Sequence, residues 1–225
     1  MTLTAESGDI TASGYLFSES GGAALSAAGN INLAGTLEGL TDLSLTSSAG
    51  DITLGEYGSM YTPSGDIALT AESGNITTSG YLQSGGAALS AAGDINVADT
   101  ASLNVTSDLS LTSSGGNITT RSNDFSGDAV ALTAETGFID ASGSIVAGSG
   151  ATLSAESDIY LATDLEAGTD LSVDSSSGGI FASGEITAGG AGTLTADGGV
   201  ELLGELGTAG DLSVISRLGS ITASG

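Results

Sequence analysis

Asp and Asn recur at one repeated position of this chain, as Asp9, Asn30, Asp51, Asn75, Asp94 and Asn117. Each follows a glycine and precedes an isoleucine, so these six side chains are expected to share one structural address. Carboxylate oxygens are what a hard cation needs. Asp9, Asp51, Asp94 and the later Asp158 are therefore the candidate metal ligands, with Ca2+ the ion that would suit them. Two features favour another role. Asn at alternate places halves the carboxylate density, and the Ca2+-binding nonapeptide G-G-x-G-x-D is absent. Asp and Asn also bond neighbouring backbone at turns, and an amide between successive carboxylates eases their repulsion. The expectation is a row of solvated corner residues, no cofactor, and diffuse screening by cations.

A second row carries hydroxyls: Thr4, Ser26, Thr46, Thr70, Ser90, Thr112, Thr133, Ser154 and Thr195, interrupted by Asp174 and closed by Ile215. Facing outward from strands, it is a candidate contact row. It resembles the regular Thr arrays of ice-binding solenoids, although Ser and Thr are also favoured on exposed strands. Catalysis has little to draw on. The chain has no His, no Cys and no Lys, and no G-x-S-x-G elbow. Arg121, beside Asn123 and Asp124 in RSNDFSGD, reads as part of a turn insertion. The expectation is a protein that is not an enzyme, with carbohydrate cleavage the remote alternative. Tyr15 and Tyr81 occupy matching positions, and Tyr57 and Tyr61 lie on the insertion GEYGSMYTPSGD, which also holds Pro63. Such tyrosines either cover a corner or contact sugars or neighbouring fibres.

These rows are positioned by a repeat. One apolar column runs Leu3, Leu25, Leu45, Leu69, Leu89, Leu111, Leu132, Leu153, Val173, Leu194, Val214. A second runs Ile10, Ile31, Ile52, Ile76, Ile95, Ile118, Ile139, Ile159, Ile180, Val200, Ile221. Spacings stay between 19 and 24 residues, mostly 20 or 21. A third, less regular column includes Leu16, Leu37, Leu82, Ile145, Leu165, Ile186 and Leu206, six residues after the Ile or Val. Apolar residues alternate around each column, which is strand period. Strands separated by such tight glycine corners cannot pair within a coil, so each must pair with its equivalent one coil away. The fold class that follows is all-β: a parallel β-helix, or β-solenoid, of about eleven coils of about 20–21 residues, right-handed. Glycines two residues before the Ile column, such as Gly8, Gly50 and Gly116, are expected to turn the backbone through positive φ.

A coarser period overlies the coils. The residue two before each Leu alternates large, small, large, and the residue two after it reads Ala, Ala, Ser, beginning Ala5, Ala27, Ser47. The unit is therefore three coils, dividing a single solenoid domain, 1–225, into 1–65, 66–128, 129–189 and an incomplete 190–225. The opening MTLTAESGDI shows no leader and the closing ITASG stops inside the repeat, so the chain is expected to be a piece of a longer array. Its 27 acidic residues against two arginines give a net charge of −25, which repels nucleic acid and anionic membrane surfaces. No apolar run approaches the ~20 residues needed to cross a bilayer.

The strings LTAESGDITASG, LSAAGNINLAG, DLSLTSSAGDITL and LTAESGNITTSG resemble the repeats of filamentous haemagglutinin-type exoproteins, and the resemblance covers essentially the whole chain. It implies a right-handed parallel β-helix of a large bacterial adhesin, exported by two-partner secretion. The expected role is a rigid stalk or fibre segment at the cell surface or outside the cell. Expected partners are further repeats or copies stacked end to end, and glycans or proteins of a host or neighbouring cell.

Overall fold

The computed structural model describes residues 1–122 and 125–224. Three parallel sheets run the length of the molecule, with eleven, eleven and ten strands, and each strand pairs with its counterpart one coil below and one above. One coil thus contributes a strand to each sheet, as Ala23–Ala27, Ile31–Leu33 and Thr36–Gly39 do. The pairing is in register: Leu25 lies beside Leu3 and Leu45, and Ile31 beside Ile10 and Ile52. The solenoid is of the right-handed type.

Alternation sends every second side chain inward, and the first two columns meet in one continuous core. Leu45, Ile52, Leu111, Ile118, Leu153 and Ile159 are all fully buried. The third column is more complete than its sequence spacing suggests. Met60, Leu103 and Phe125 fill the rungs that the six-residue spacing misses, because the preceding corner is longer in those coils. The segments read as insertions therefore carry regular third-sheet strands, Ser59–Tyr61 and Phe125–Gly127.

The corner glycines act by a different mechanism from the one expected. Among the described residues no glycine has positive φ. Glycine is favoured at most of these corners because successive corners touch, although Ser157 holds the same position before Ile159. A Cβ on Gly50 would lie 2.6 Å from the Asn30 nitrogen, and one on Gly116 would lie 2.5 Å from Asp94 Oδ1 and 2.6 Å from the Gly93 carbonyl carbon. Gly8 supplies the control. It occupies the first coil, and a Cβ there would meet nothing within 4 Å.

The three-coil period is matched in corner length. Between the last inward residue of the first-sheet strand and the Ile or Val column lie three residues in 28–30, 92–94, 156–158 and 197–199, but four in 6–9, 48–51, 72–75, 114–117, 135–138, 176–179 and 217–220. Over the first nine coils each short corner is therefore followed by two long ones, until 156–158, after which a single long corner precedes the next short one. Where a short corner sits on a long one, backbone bonds suffice: Gly29 N–H donates to the Gly8 carbonyl at 2.9 Å, and Gly93 N–H to Gly74 at 2.9 Å. Where a long corner sits on a short one, a serine hydroxyl takes over. Ser47, Ser113, Ser175 and Ser216 donate to the carbonyls of Gly29, Gly93, Ser157 and Gly198 at 2.7–2.8 Å. Each also accepts the N–H three residues ahead, from Gly50, Gly116, Gly178 and Gly219, at 2.9–3.1 Å. Ser47, Ser113 and Ser175 are fully buried, so these hydroxyls find their partners inside the protein.

Two paired substitutions check this reading by thermal and urea denaturation. Gly116→Ala is expected to cost about 1–3 kcal/mol, whereas Gly8→Ala changes stability by less than about 0.5 kcal/mol. Ser113→Ala removes the partner of a half-buried carbonyl and N–H and is expected to cost about 1–2 kcal/mol, while the neighbouring Ser114→Ala is nearly neutral.

Candidate functional site

The Asp and Asn residues stack on one corner and spend their oxygens on backbone. Asp9 Oδ1 accepts the N–H of Asn30 at 2.6 Å, Asn30 Oδ1 that of Asp51 at 2.9 Å, and Asp51 Oδ1 that of Asn75 at 2.8 Å. Asp94 Oδ1 accepts from Asn117 at 2.7 Å, and Asp158 Oδ1 from Gly179 at 2.7 Å. The alternation has its own bond, since the Asn75 and Asn117 side-chain amides each donate to the Asp below at 3.1 Å. The amide thus satisfies a carboxylate that another Asp would repel. Each candidate ligand Asp9, Asp51, Asp94 and Asp158 has one oxygen committed in this way. Among the described residues no group of three or more His, Cys, Asp or Glu converges to hold a metal ion.

The hydroxyl row lies on the outer side of the first sheet in continuous register, from Thr4 beside Ser26 through Thr46, Thr70, Ser90, Thr112, Thr133 and Ser154. A parallel outward column of Ala24, Ser44, Ala68, Ala88 and Ser110 runs two residues before it, so this face is flat and built from small side chains. Thr195 departs from the expectation of an exposed row. It is only 9% exposed, flanked in register by the larger Asp174 and Ile215.

Aromatic residues interrupt these small-residue faces in two places. On the third sheet, Tyr15 stands in register with Thr36, and then Ser59 with Tyr81; beside them run Phe17, Glu38, Tyr61, Gln83 and Asn104. Tyr15 and Phe17 stack with ring centroids 6.0 Å apart. The Tyr15 hydroxyl donates to Glu38 and the Tyr81 hydroxyl to Gln83. The bond to Glu38 stabilises the neutral phenol and raises the Tyr15 pKa, with desolvation and the Glu38 charge adding to it. Tyr57 is almost fully exposed on the adjoining loop.

The second place escaped sequence reasoning. Phe138 takes the Asp/Asn position, and Tyr160 and Phe181 follow on the outer side of the second sheet. Tyr160 and Phe181 stack at 5.2 Å, and Phe138 meets Tyr160 edge to face at 6.5 Å. With Leu203 and Glu201, Tyr160 and Phe181 border a shallow cleft of about 230 Å³. The replacement of Asp or Asn by Phe138 was the available signal. Arg121 is exposed at a second-to-third-sheet corner, while its companions Asn123 and Asp124 lie outside the described residues. Arg217 pairs with Asp197 at 2.8 Å, which holds its guanidinium more firmly protonated.

No family model, no curated protein and no solved structure matches the chain.

The Tyr160 hydroxyl donates to Asp158 Oδ2 at 3.0 Å, and this bond, with smaller contributions from desolvation and from the charges of Asp158 and Asp140, raises the phenol pKa. Ultraviolet titration of Tyr160 should therefore show ionisation above the usual tyrosine range, and Asp158→Ala should move it down. An unchanged titration would separate the two groups in solution.

Proposed function

We propose that this chain is a rigid segment of a bacterial surface or secreted structural protein, a stalk or fibre that holds contact surfaces away from the cell. The reading extends to an adhesive role and to kinship with filamentous haemagglutinin-type exoproteins, for which the repeat strings and the solenoid itself are the support. The single observation that carries it is the uninterrupted in-register pairing of all three sheets. Each coil bonds only to its neighbours, so length grows without enlarging the core and the stack bends as one body. The acidic surface keeps such rods apart laterally.

End-to-end partners fit the same geometry. Core-column residues surface on the two outer coils, where Leu3 is 37% and Ile221 51% exposed, against 0% for such counterparts within the stack as Leu45, Leu111, Ile52 and Ile118. A further coil, from this chain or another copy, would bury them and pair their strand edges. In this reading the rod works without a cofactor and is not an enzyme, and its location is extracellular.

A second reading, ice binding by the hydroxyl row, draws support from the flatness of the first-sheet face. The two are separated by small-angle scattering and freezing measurements on the 225-residue chain. The rod predicts an elongated particle of about 50 Å per eleven coils, lengthening with concentration if ends stack. A compact, isotropic profile would sink it. Thermal hysteresis abolished by Thr70→Tyr would give the molecule to the second reading.

A further inference from the structure

We propose that the outer face of the third sheet, over the first five coils, binds a neutral, hydroxyl-rich polysaccharide lying along the solenoid axis. This adds a ligand to the rod and stands or falls separately from its shape.

The face is built differently from the rest of its sheet. The strands Tyr15–Ser18, Thr36–Gly39, Ser59–Tyr61, Tyr81–Ser84 and Ser102–Val105 each present two outward residues, whereas Ile145–Ala147, Leu165–Ala167 and Ile186–Ala188 present one. The widened stretch also gathers aromatic and amide side chains, Tyr15, Phe17, Tyr61, Tyr81, Gln83 and Asn104, among outward Thr36, Glu38, Ser59 and Ser102. Packing does not require them. Tyr15 is 62%, Phe17 40% and Tyr81 39% exposed, on a solenoid whose other outward positions are mostly small.

Their chemistry selects the ligand. Aromatic rings offer apolar surface to the C–H faces of a pyranose, while Glu38, Gln83 and Asn104 offer acceptors and donors to its hydroxyls. Tyr and Asn combine contact area with adaptable hydrogen bonding at low entropic cost. The Tyr15–Glu38 and Tyr81–Gln83 bonds hold two of the rings in place before any ligand arrives, which reduces the ordering cost of binding. Neither arginine lies on this face and Glu38 is its one outward charge, so an anionic polymer finds no counter-charge and meets the field of a −25 chain. The same field disfavours a second copy as occupant. Spacing agrees as well. Phe17 and Tyr61 are two rungs apart, about 9.6 Å, which is the length of two sugar units in an extended chain.

The test is titration calorimetry of the full chain with cellohexaose, mannohexaose and xylohexaose, beside oligogalacturonate and heparan sulfate fragments. The expected result is binding to at least one neutral hexasaccharide and none to the two anionic ones. Tyr15→Ala/Tyr81→Ala should weaken that binding tenfold or more, with circular dichroism and melting unchanged. Tyr160→Ala/Phe181→Ala, on the second sheet, should leave it intact. The proposal is overturned if no neutral hexasaccharide binds, if the anionic ones bind as well, or if binding survives loss of Tyr15 and Tyr81 or vanishes with Tyr160 and Phe181. Scattering from the same variants reports the rod independently of each of these outcomes.

Discussion

The in-register parallel ladder between equivalent residues of successive coils is the constraint from which the rest of this structure follows. Parallel pairing brings each residue to within about 4.8 Å of its own counterpart above and below. Whatever occupies a position must therefore tolerate a near copy of itself on both sides. Leu, Ile and Val satisfy this inside, where like packs on like and each buried side chain contributes about 1.5–3 kcal/mol. Charged residues satisfy it poorly, and the chain manages its acidic excess by placement and alternation rather than by salt bridges.

Corners feel the constraint most sharply because they lack a regular ladder. Glycine at Gly50 or Gly116 answers it sterically, by removing the atom that would strike the coil below. Asp and Asn answer it by hydrogen bonding, Oδ1 of each capping the backbone N–H of the next coil, so that the row stitches successive corners together. Serine answers it where corner lengths differ. Ser47, Ser113 and Ser175 bridge a three-residue corner to a four-residue one from inside the core, so the serine recurs wherever a long corner follows a short one. A local mismatch of one residue thus accompanies the longest period in the sequence.

Outer faces escape these demands, and there the coils are free to differ. The first sheet keeps small hydroxyl and methyl groups, while the third and second sheets gather aromatic residues over limited stretches. A solenoid lends itself to this division, since a substitution on an outward column perturbs only the neighbouring rungs. Stability and contact chemistry can then vary independently along one rod.

The sequence alone determined the strand period, the apolar columns, the coil number and the parallel pairing, because a repeat of about twenty residues with glycine corners leaves one way to bury two or three columns. It also made the three-coil rhythm visible. Tertiary structure decided what the rhythm means, since the partner of Ser47 is a carbonyl 18 residues earlier that only stacking brings near. It placed Met60, Leu103 and Phe125 in the third column, where variable corner length had hidden them. It replaced positive φ by close approach as the reason for the corner glycines, a distinction that depends on the distance between coils and not on any local pattern. And it assembled Tyr15, Glu38, Tyr61 and Tyr81 into one face. Those residues are about twenty apart along the chain and about one rung apart in space, and no local reading of a linear sequence contains that second distance.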